Sequence, residues 1–311
     1  MPLVISAVIP SYNGKELLAS CLPALAAELQ GIEHEVIVVD DGSTDGTSEW
    51  LAEHWPQVKV AQGRRAGFAA ACNVGLLMAR GWYVLLLNND MIVQPGTVER
   101  LIARLRSNLT YLAVGGAYQT PAGEGEYRCS FCGNTHPEGY RHEEGMRPAL
   151  DAPAGGGLFR RDALRKLGWL DETFTPFYWE DVDLGWNAWR AGYRVVFDAQ
   201  AVMLHRHGAT IQRVYPPVFY EAVRWKNTYV FAWKNCGRRI LLRHLARIPW
   251  RGVRAVAGGY GRAWLWGLAM AVRTLPQVLV ARRHRLPAVE TDQAILTGAL
   301  PEPGHLLRQL Y

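Results

Sequence analysis

The stretch EVIVVDDGSTDGT occupies residues 35–47, and its reading decides the fold. Val36, Ile37, Val38 and Val39 form an unbroken β-branched run, the pattern of a strand buried on both faces. Asp40 and Asp41 end the run, and the Gly, Ser and Thr residues that follow supply a tight turn and a helix cap. A strand that stops at acids and restarts as a helix belongs in an α/β sheet. Ligands of such sheets collect at the carboxyl ends of the strands.

The same alternation extends in both directions. Residues 3–9 read as a short buried strand closed by Pro10, and 14–29 carry apolar residues at helical spacing. Residues 58–63 read as a strand, 66–79 as a small-residue helix, and 82–88 as a very apolar strand. A helix over 95–105, a strand over 112–118, and a strand running into a helix over 155–168 follow. Residues 180–191 predict a helix stopped by Gly192, with a strand over 193–197. A glycine-rich polar stretch, 123–152, reads as a loop or small insertion. The expected fold is α/β, with a mostly parallel central sheet flanked by helices.

From residue 214 onward the signal is helical, aromatic and basic. The 311-residue chain carries a formal net charge of +6, and no acid occurs between Glu221 and Glu290. That stretch attracts phosphate-rich partners, lipid headgroups or nucleic acid. The apolar run 263–272 has ten residues between arginines, whereas spanning a bilayer takes about 20, so no spanning helix is expected. Five cysteines give no disulfide framework and favour a reduced, cytoplasmic setting; the N-terminus lacks the basic region of a signal peptide.

Three polar clusters sit at expected strand ends: residues 10–13, 40–45 and 88–90. Asp40, Asp41 and Asp45 outnumber the acids a turn requires, and suit a pocket accepting hydrogen bonds from a base and ribose; a turn plus helix cap is the other reading. The first loop lacks GxGxxG, and GxxxxGK[ST] is absent, which argues against dinucleotide and phosphate-loop folds. Asp90, delivered by an apolar strand, is placed to hold a divalent cation. His205 and His207 are candidates for a second ligand, or ordinary loop histidines.

Glu180, Asp181 and Asp183 cluster at a helix start, where the helix dipole alone favours an acid. The preceding Phe177, Tyr178 and Trp179 would wall them with apolar surface and raise a carboxyl toward general-base duty, or else simply fill a core. Arg64, Arg65 and Gly67 precede FAAACN, so an arginine there either meets a diphosphate or is solvated. Cys129 and Cys132, in CSFC, with His136 and His142 nearby, read as loop thiols or a structural zinc site.

VIPSYNG, VIVVDDGSTDGT, GFAAACNVGL, YVLLLNNDMIVQPG, AGGGLFRRDALRKLGWLDE and FYWEDVDLGWNAWRAGYRVVF follow one another in this order within about residues 4–207. This ordered set resembles the family-2 glycosyltransferases with the GT-A fold, especially the bacterial rhamnosyltransferase-like branch. The resemblance implies a catalytic domain over 1–212, with a nucleotide-binding half over about 1–90 and an acceptor half over about 91–212. A basic, amphipathic helical region over 213–311 would follow it. It implies that Pro10, Tyr12, Asn13 and Asp41 line the donor pocket, with Arg65, Gly67, Asn73, Asn89 and Asp90 on the donor side. Asp181 matches the catalytic base, with Gly156, Gly157, Trp179 and Glu180 in the acceptor or sugar region. Asp90 and His205 match metal positions for Mn²⁺ or Mg²⁺. Asn88 stands where an acid is often found, and Asn187 where an arginine is common.

The implied activity is inverting, metal-dependent transfer of a sugar, rhamnose first, from a nucleotide-diphosphate donor to a saccharide or lipid-linked glycan in cell-surface polysaccharide synthesis. The implied setting is the cytoplasmic face of the cell membrane, through the basic region, with a homo-oligomer possible and no nucleic acid. The second reading is a nucleotide-sugar or glycan-binding protein that has lost turnover.

Overall fold

The structure, a computed structural model, describes residues 4–119, 125–126, 146–206 and 214–299. The first half alternates strand and helix: β1 (Ile5–Ser11), α1 (Lys15–Glu28), β2 (His34–Asp40), α2 (Thr47–His54), β3 (Lys59–Gln62), α3 (Phe68–Met78) and β4 (Tyr83–Leu87). Then come β5 (Met91–Val93), α4 (Thr97–Ser107), β6 (Tyr111–Gln119), β7 (Gly125–Glu126), β8 (Met146–Ala149), β9 (Gly156–Arg160) and α5 (Arg161–Leu167). A 3₁₀ turn (Glu172–Phe174), α6 (Glu180–Arg190) and β10 (Arg194–His205) complete this part.

All strands join one sheet, in the order β3-β2-β1-β4-β9-β6-β10-β5, with β7 beside β6 and β8 beside β10. The strands β3, β2, β1 and β4 are mutually parallel, as their helical crossovers require. Beyond β4 the sheet is mixed: β9 inserts antiparallel between β4 and β6, while β6 and β10 are parallel. Both faces are covered. Val38 points to the side of α1, α2 and α4, and Ile37 and Val39 to that of α3, α5 and α6. The unbroken β-branched run of the sequence has this cause.

Two sequence expectations change here. His205 is not a loop residue: β10 shifts register between Asp198 and Val202 and runs on to His205, which pairs with Met91. The apolar run 263–272 is part of a longer helix, because Arg273 does not interrupt it.

The C-terminal helices are α7 (Pro217–Asn235), α8 (Arg238–Ala257), α9 (Gly261–Arg283) and α10 (Asp292–Ala299). Among the described residues, α9 is one helix long and apolar enough, by length and composition, to cross a membrane. A third core joins these helices to the first part: Phe174, Trp179 and Trp186 pack with Tyr229 and Phe231 of α7 and Ala271 and Val278 of α9.

Candidate active site

The carboxyl ends of β1, β2 and β4 meet at one edge of the sheet. Asp41 is buried there; its backbone N–H donates to Ser11 O at 2.8 Å and its Oδ1 accepts the Arg65 N–H at 2.6 Å. Asn13 accepts the Thr44 N–H at 2.7 Å, tying the first loop to the second. Asp40 is spent on the turn, accepting the Ser43 N–H and the Ser48 hydroxyl. Asp45 takes Lys15 N–H and both donors of Thr47; it is held below the usual carboxylate range, because these bonds outweigh the opposing effect of burial. The Arg65 guanidinium lies 4.8 Å from the Tyr12 ring centroid and donates to its hydroxyl. Of the three acids, then, Asp40 and Asp45 are taken up by the turn and the helix start, while Asp41 bridges the ends of β1 and β3 through Ser11 and Arg65.

Beside this pocket, the end of β4 and the end of β10 bring Asp90 and His205 together, Oδ2 to Nε2 at 3.2 Å. Arg206 N–H donates to Asp90 O and fixes the pairing. The buried Oδ1 atoms of Asp90 and Asn88 have no hydrogen-bond partner among the described residues. Buried oxygens without donors carry a desolvation cost unless a cation or water answers them. One carboxylate, one imidazole and one amide oxygen suit a hard cation that keeps water and phosphate oxygens as its remaining ligands. Among the described residues no cluster of three His, Cys, Asp or Glu side chains exists. The set fits Mn²⁺ or Mg²⁺ on these terms.

The glycine turn closes the crevice from the other side. Asn88 N–H donates to Gly155 O at 2.9 Å. A Cβ on Gly156 would stand 2.8 Å from Met203 Sδ and 3.0 Å from the Tyr118 ring, so a side chain there would displace the floor of the site. Tyr118 lies edge-on to His205, ring centroids 6.0 Å apart.

Asp181, at the start of α6, meets the segment that leads into the glycine turn. Its Oδ1 accepts the Val182 N–H at 2.8 Å and its carbonyl accepts Ala152 N–H. Burial, and then the charge of Asp151, push its carboxyl up to about 7. The Tyr118 hydroxyl is raised by burial and by the charges of Asp151, Asp181 and Asp90. One phenol thus feels both the proposed base and the proposed metal acid. Glu180 is raised by burial and by Asp181.

The profile of glycosyl transferase family 2 matches residues 6–168, just over half of the chain. The chain belongs to glycosyl transferase family 2. The O-antigen biosynthesis protein RfbC of Myxococcus xanthus is 28% identical over 224 residues, 66% of this family-2 chain and 17% of that protein. The chain thus spans under a fifth of that relative's length. An N-acetylglucosaminyl-diphospho-decaprenol L-rhamnosyltransferase of Mycobacterium tuberculosis is 26% identical over 265 residues, 74% of this chain and 83% of that one. Among solved structures, a mannosyltransferase from Pyrobaculum calidifontis in complex with GDP-Man and Mn²⁺ superposes with a TM-score of 0.56 at 19% identity, covering 91% of this chain and 88% of its own. S. aureus TarS in complex with UDP-GlcNAc gives 0.54 at 20% identity, covering 74% and 67%. The fold of this family-2 chain is GT-A.

Two site expectations for the family-2 protein need correction. The Asn73 amide is committed to the loop before the 3₁₀ turn: it donates to Leu170 O and Glu172 Oε1 and accepts the Leu170 N–H. It ties α3 to that loop. Trp179 is buried against Phe231, centroids 5.0 Å apart, because its left-handed backbone (φ 79°) turns the ring into the core. Tyr178, 41% exposed, is the aromatic left at the surface. Asn89 donates to Ser11 Oγ at 3.0 Å, bracing β4 against the first loop, and Pro10 closes β1 beside Val39. Gly67 (φ 97°) lets the chain pass against Pro176, whose carbonyl accepts Phe68 N–H. Gly157 packs on Pro153. Asn187 donates to Asp183 O and Asn235.

Sequence reasoning missed three residues. Asp151 adds charge beside Asp181; its place four residues ahead of the glycine turn was the available signal. Tyr118 gave none. Tyr215, at the start of the C-terminal region, packs on Phe177 with ring centroids 5.2 Å apart, and burial raises its hydroxyl. The cysteine pair Cys129 and Cys132, with His136, His142 and His207, lies outside the described residues.

Proposed function

We propose that the protein transfers a sugar from a nucleotide-diphosphate donor to a hydroxyl of a saccharide or lipid-linked glycan, with inversion and with a divalent cation. One arrangement supports the reading: the segment 152–155 links Asp181, whose carbonyl accepts the Ala152 N–H, to Asn88, whose N–H donates to Gly155 O, and so sets the proposed base near the Asp90–His205 pair. Asp181, raised to about 7, is poised to take the acceptor proton as the hydroxyl attacks the anomeric carbon. Asp41, Asn13 and Tyr12 would hold the nucleoside and Arg65 the donor's charged end. Asp90, with His205 and Asn88, would hold the cation, which when bound supplies compensation for charge on the leaving diphosphate. A single displacement uses one carboxylate as base and no enzyme nucleophile, and it inverts the configuration.

Similarity to the M. tuberculosis relative, aligned over 83% of its length, supports rhamnose as the first donor sugar and a lipid-linked diphosphosaccharide as the acceptor class. Such an acceptor places the protein at the cytoplasmic face of a membrane.

The test is nucleotide release from a panel of nucleotide sugars with and without Mn²⁺. Wild type should turn over at least one donor with a lipid-linked acceptor, dependent on the cation. Asp181→Asn should lose about 10²–10⁴-fold in rate while still binding donor. His205→Ala should weaken the apparent Mn²⁺ affinity by roughly 10–100-fold. Equal rates for wild type and Asp181→Asn would sink the assignment of the base.

A further inference from the structure

We infer that α8 and α9 form a membrane-resting hairpin, an in-plane docking surface for an anionic lipid bilayer. It deepens the proposed function, on which it rests for its purpose, since a lipid-borne acceptor must meet the crevice.

Both helices carry an apolar stripe on the side away from the protein. On α8 the residues Leu242, Leu245, Pro249, Val253 and Val256 recur at helical spacing and all are exposed, while Ile240, His244, Gly252 and Ala255 are buried. On α9 the exposed set is Leu265, Ala269, Val272, Pro276 and Leu279, against buried Ala263, Gly267, Ala271 and Val278. Val253, Val256, Leu265 and Val272 are each more than half exposed, between 53% and 64%. A turn at Gly258, Gly259 and Tyr260 joins the helices. An open apolar groove of about 550 Å³, lined by Pro249, Val253, Val256, Trp264 and Leu265, runs the two stripes together. A continuous apolar face of this size is what soluble surfaces avoid.

Charge selects the occupant. Eleven arginines and no acid lie between residues 238 and 285. Exposed Arg243 and Arg254 flank the stripe of α8, and Arg262 and Arg273 that of α9. A second copy seated on this face in a two-fold contact would set arginines against arginines. Anionic headgroups answer them instead, while the stripes enter the acyl boundary and Trp250, Tyr260 and Trp266 sit at its edge. The helix α9, about 35 Å long, has the length to span. However, it holds α7 by one face and carries Arg273 at its middle, so it lies along the interface.

The surface is continuous with the crevice. Trp266 packs on Phe219, Phe219 on Tyr215, and Tyr215 on Phe177, with ring centroids 5.4, 5.2 and 5.2 Å apart. This aromatic path ends at Phe177, in the loop that delivers Asp181 and next to Pro176, against which Gly67 packs.

The experiment is sedimentation of the full chain with vesicles of phosphatidylglycerol and phosphatidylcholine, or of phosphatidylcholine alone. It is paired with light scattering for oligomeric state and donor binding read by thermal shift. Wild type should sediment with the anionic vesicles and be released by salt. The triple variant Val253→Glu, Leu265→Glu, Val272→Glu should lose at least about tenfold in partitioning, with donor binding unchanged. Wild type remaining in solution with anionic vesicles, or a variant that sediments as well as wild type, would overturn the inference. So would a wild-type dimer that the variant splits without any vesicle binding. Vesicle binding without donor binding would instead count against the transferase reading and leave the docking surface standing.

Discussion

At the scale of single residues, the chemistry turns on a carboxylate kept out of water. Asp181 is half-buried at the tip of α6 with Asp151 beside it, and desolvation and then the Asp151 charge raise its carboxyl from an ordinary 3.8 to about 7. A carboxyl raised in the folded state lends stability that is fully present below its ordinary value and lost as pH rises through the folded one. Catalysis runs the other way, because a base must have lost its proton. We therefore expect turnover to climb with pH and level off above about 7, while wild-type stability declines over the same window. Asp181→Asn should erase that limb and, at pH 8, melt higher than wild type by a few kcal/mol at most. Rate–pH profiles and melting curves of the two proteins check both; a variant melting below wild type at pH 8 would refute the desolvation account. The motif residues at strand ends were legible because each stands directly after an apolar run: Asp41 after β2, Asp90 after β4. Asp151, Tyr118 and Tyr215 were not, since their relevance comes from packing between segments far apart in sequence. Trp179 was misjudged because nothing in FYWED reveals the two consecutive left-handed residues, Tyr178 and Trp179, that turn its ring inward.

At the scale of elements, the helix α7 proves to be a clamp on the loop that presents Asp181. Asn227 is fully buried and its Nδ2 lies 2.8–2.9 Å from the carbonyl oxygens of Phe174, Phe177 and Tyr178. Lys226 donates to Thr173 O and Thr175 O, and Lys234 to Asp171 and Asp183. Left-handed backbone at non-glycine residues costs of order 1–3 kcal/mol each, so this turn persists only where its surroundings hold it. Replacing Asn227 by leucine keeps the bulk and removes the donor. The expected outcome is a loss of about 1–3 kcal/mol from unanswered carbonyls. Turnover should fall with donor affinity intact, since Asp41 and Arg65 stand on other elements. Melting, donor titration and turnover together test this; equal losses in donor binding and turnover would point to general unfolding. The existence of α7 was readable from its apolar periodicity. Its role was not, because a sequence shows which lysines and asparagines a helix carries and not which carbonyls they meet.

Over the whole molecule, an expected boundary near residue 212 separates a catalytic domain from a basic extension, yet the physical connections cross it repeatedly. Lys234 is held charged because Asp183 and Asp171 outweigh the effect of burial, and Asp171 in turn is held below the usual carboxylate range chiefly by Lys234. Trp179, Trp186 and Trp189 share one core with Tyr229 and Phe231. Farther on the chain returns to α6 and β10: Val289 N–H donates to Arg190 O, and Arg194 pairs with Glu290 at 2.7 Å. The charge asymmetry and helical character of this region were plain in the sequence, because composition carries them. Its attachment was not, because pairings between distant segments leave no local pattern. A chain ended at residue 213 would strand Asp171 and Asp183 without their lysine, and removing one partner of a buried pair costs about 3–5 kcal/mol. It would also expose three tryptophans and leave the turn before Asp181 without Asn227. These losses compare with the entire stability of a typical domain, about 5–15 kcal/mol. The shortened chain is therefore expected to aggregate on expression and to show no cooperative melting transition and no donor turnover. A soluble 1–213 fragment that melts cooperatively and binds donor would show instead that the GT-A part folds alone, and that the helices serve only the membrane.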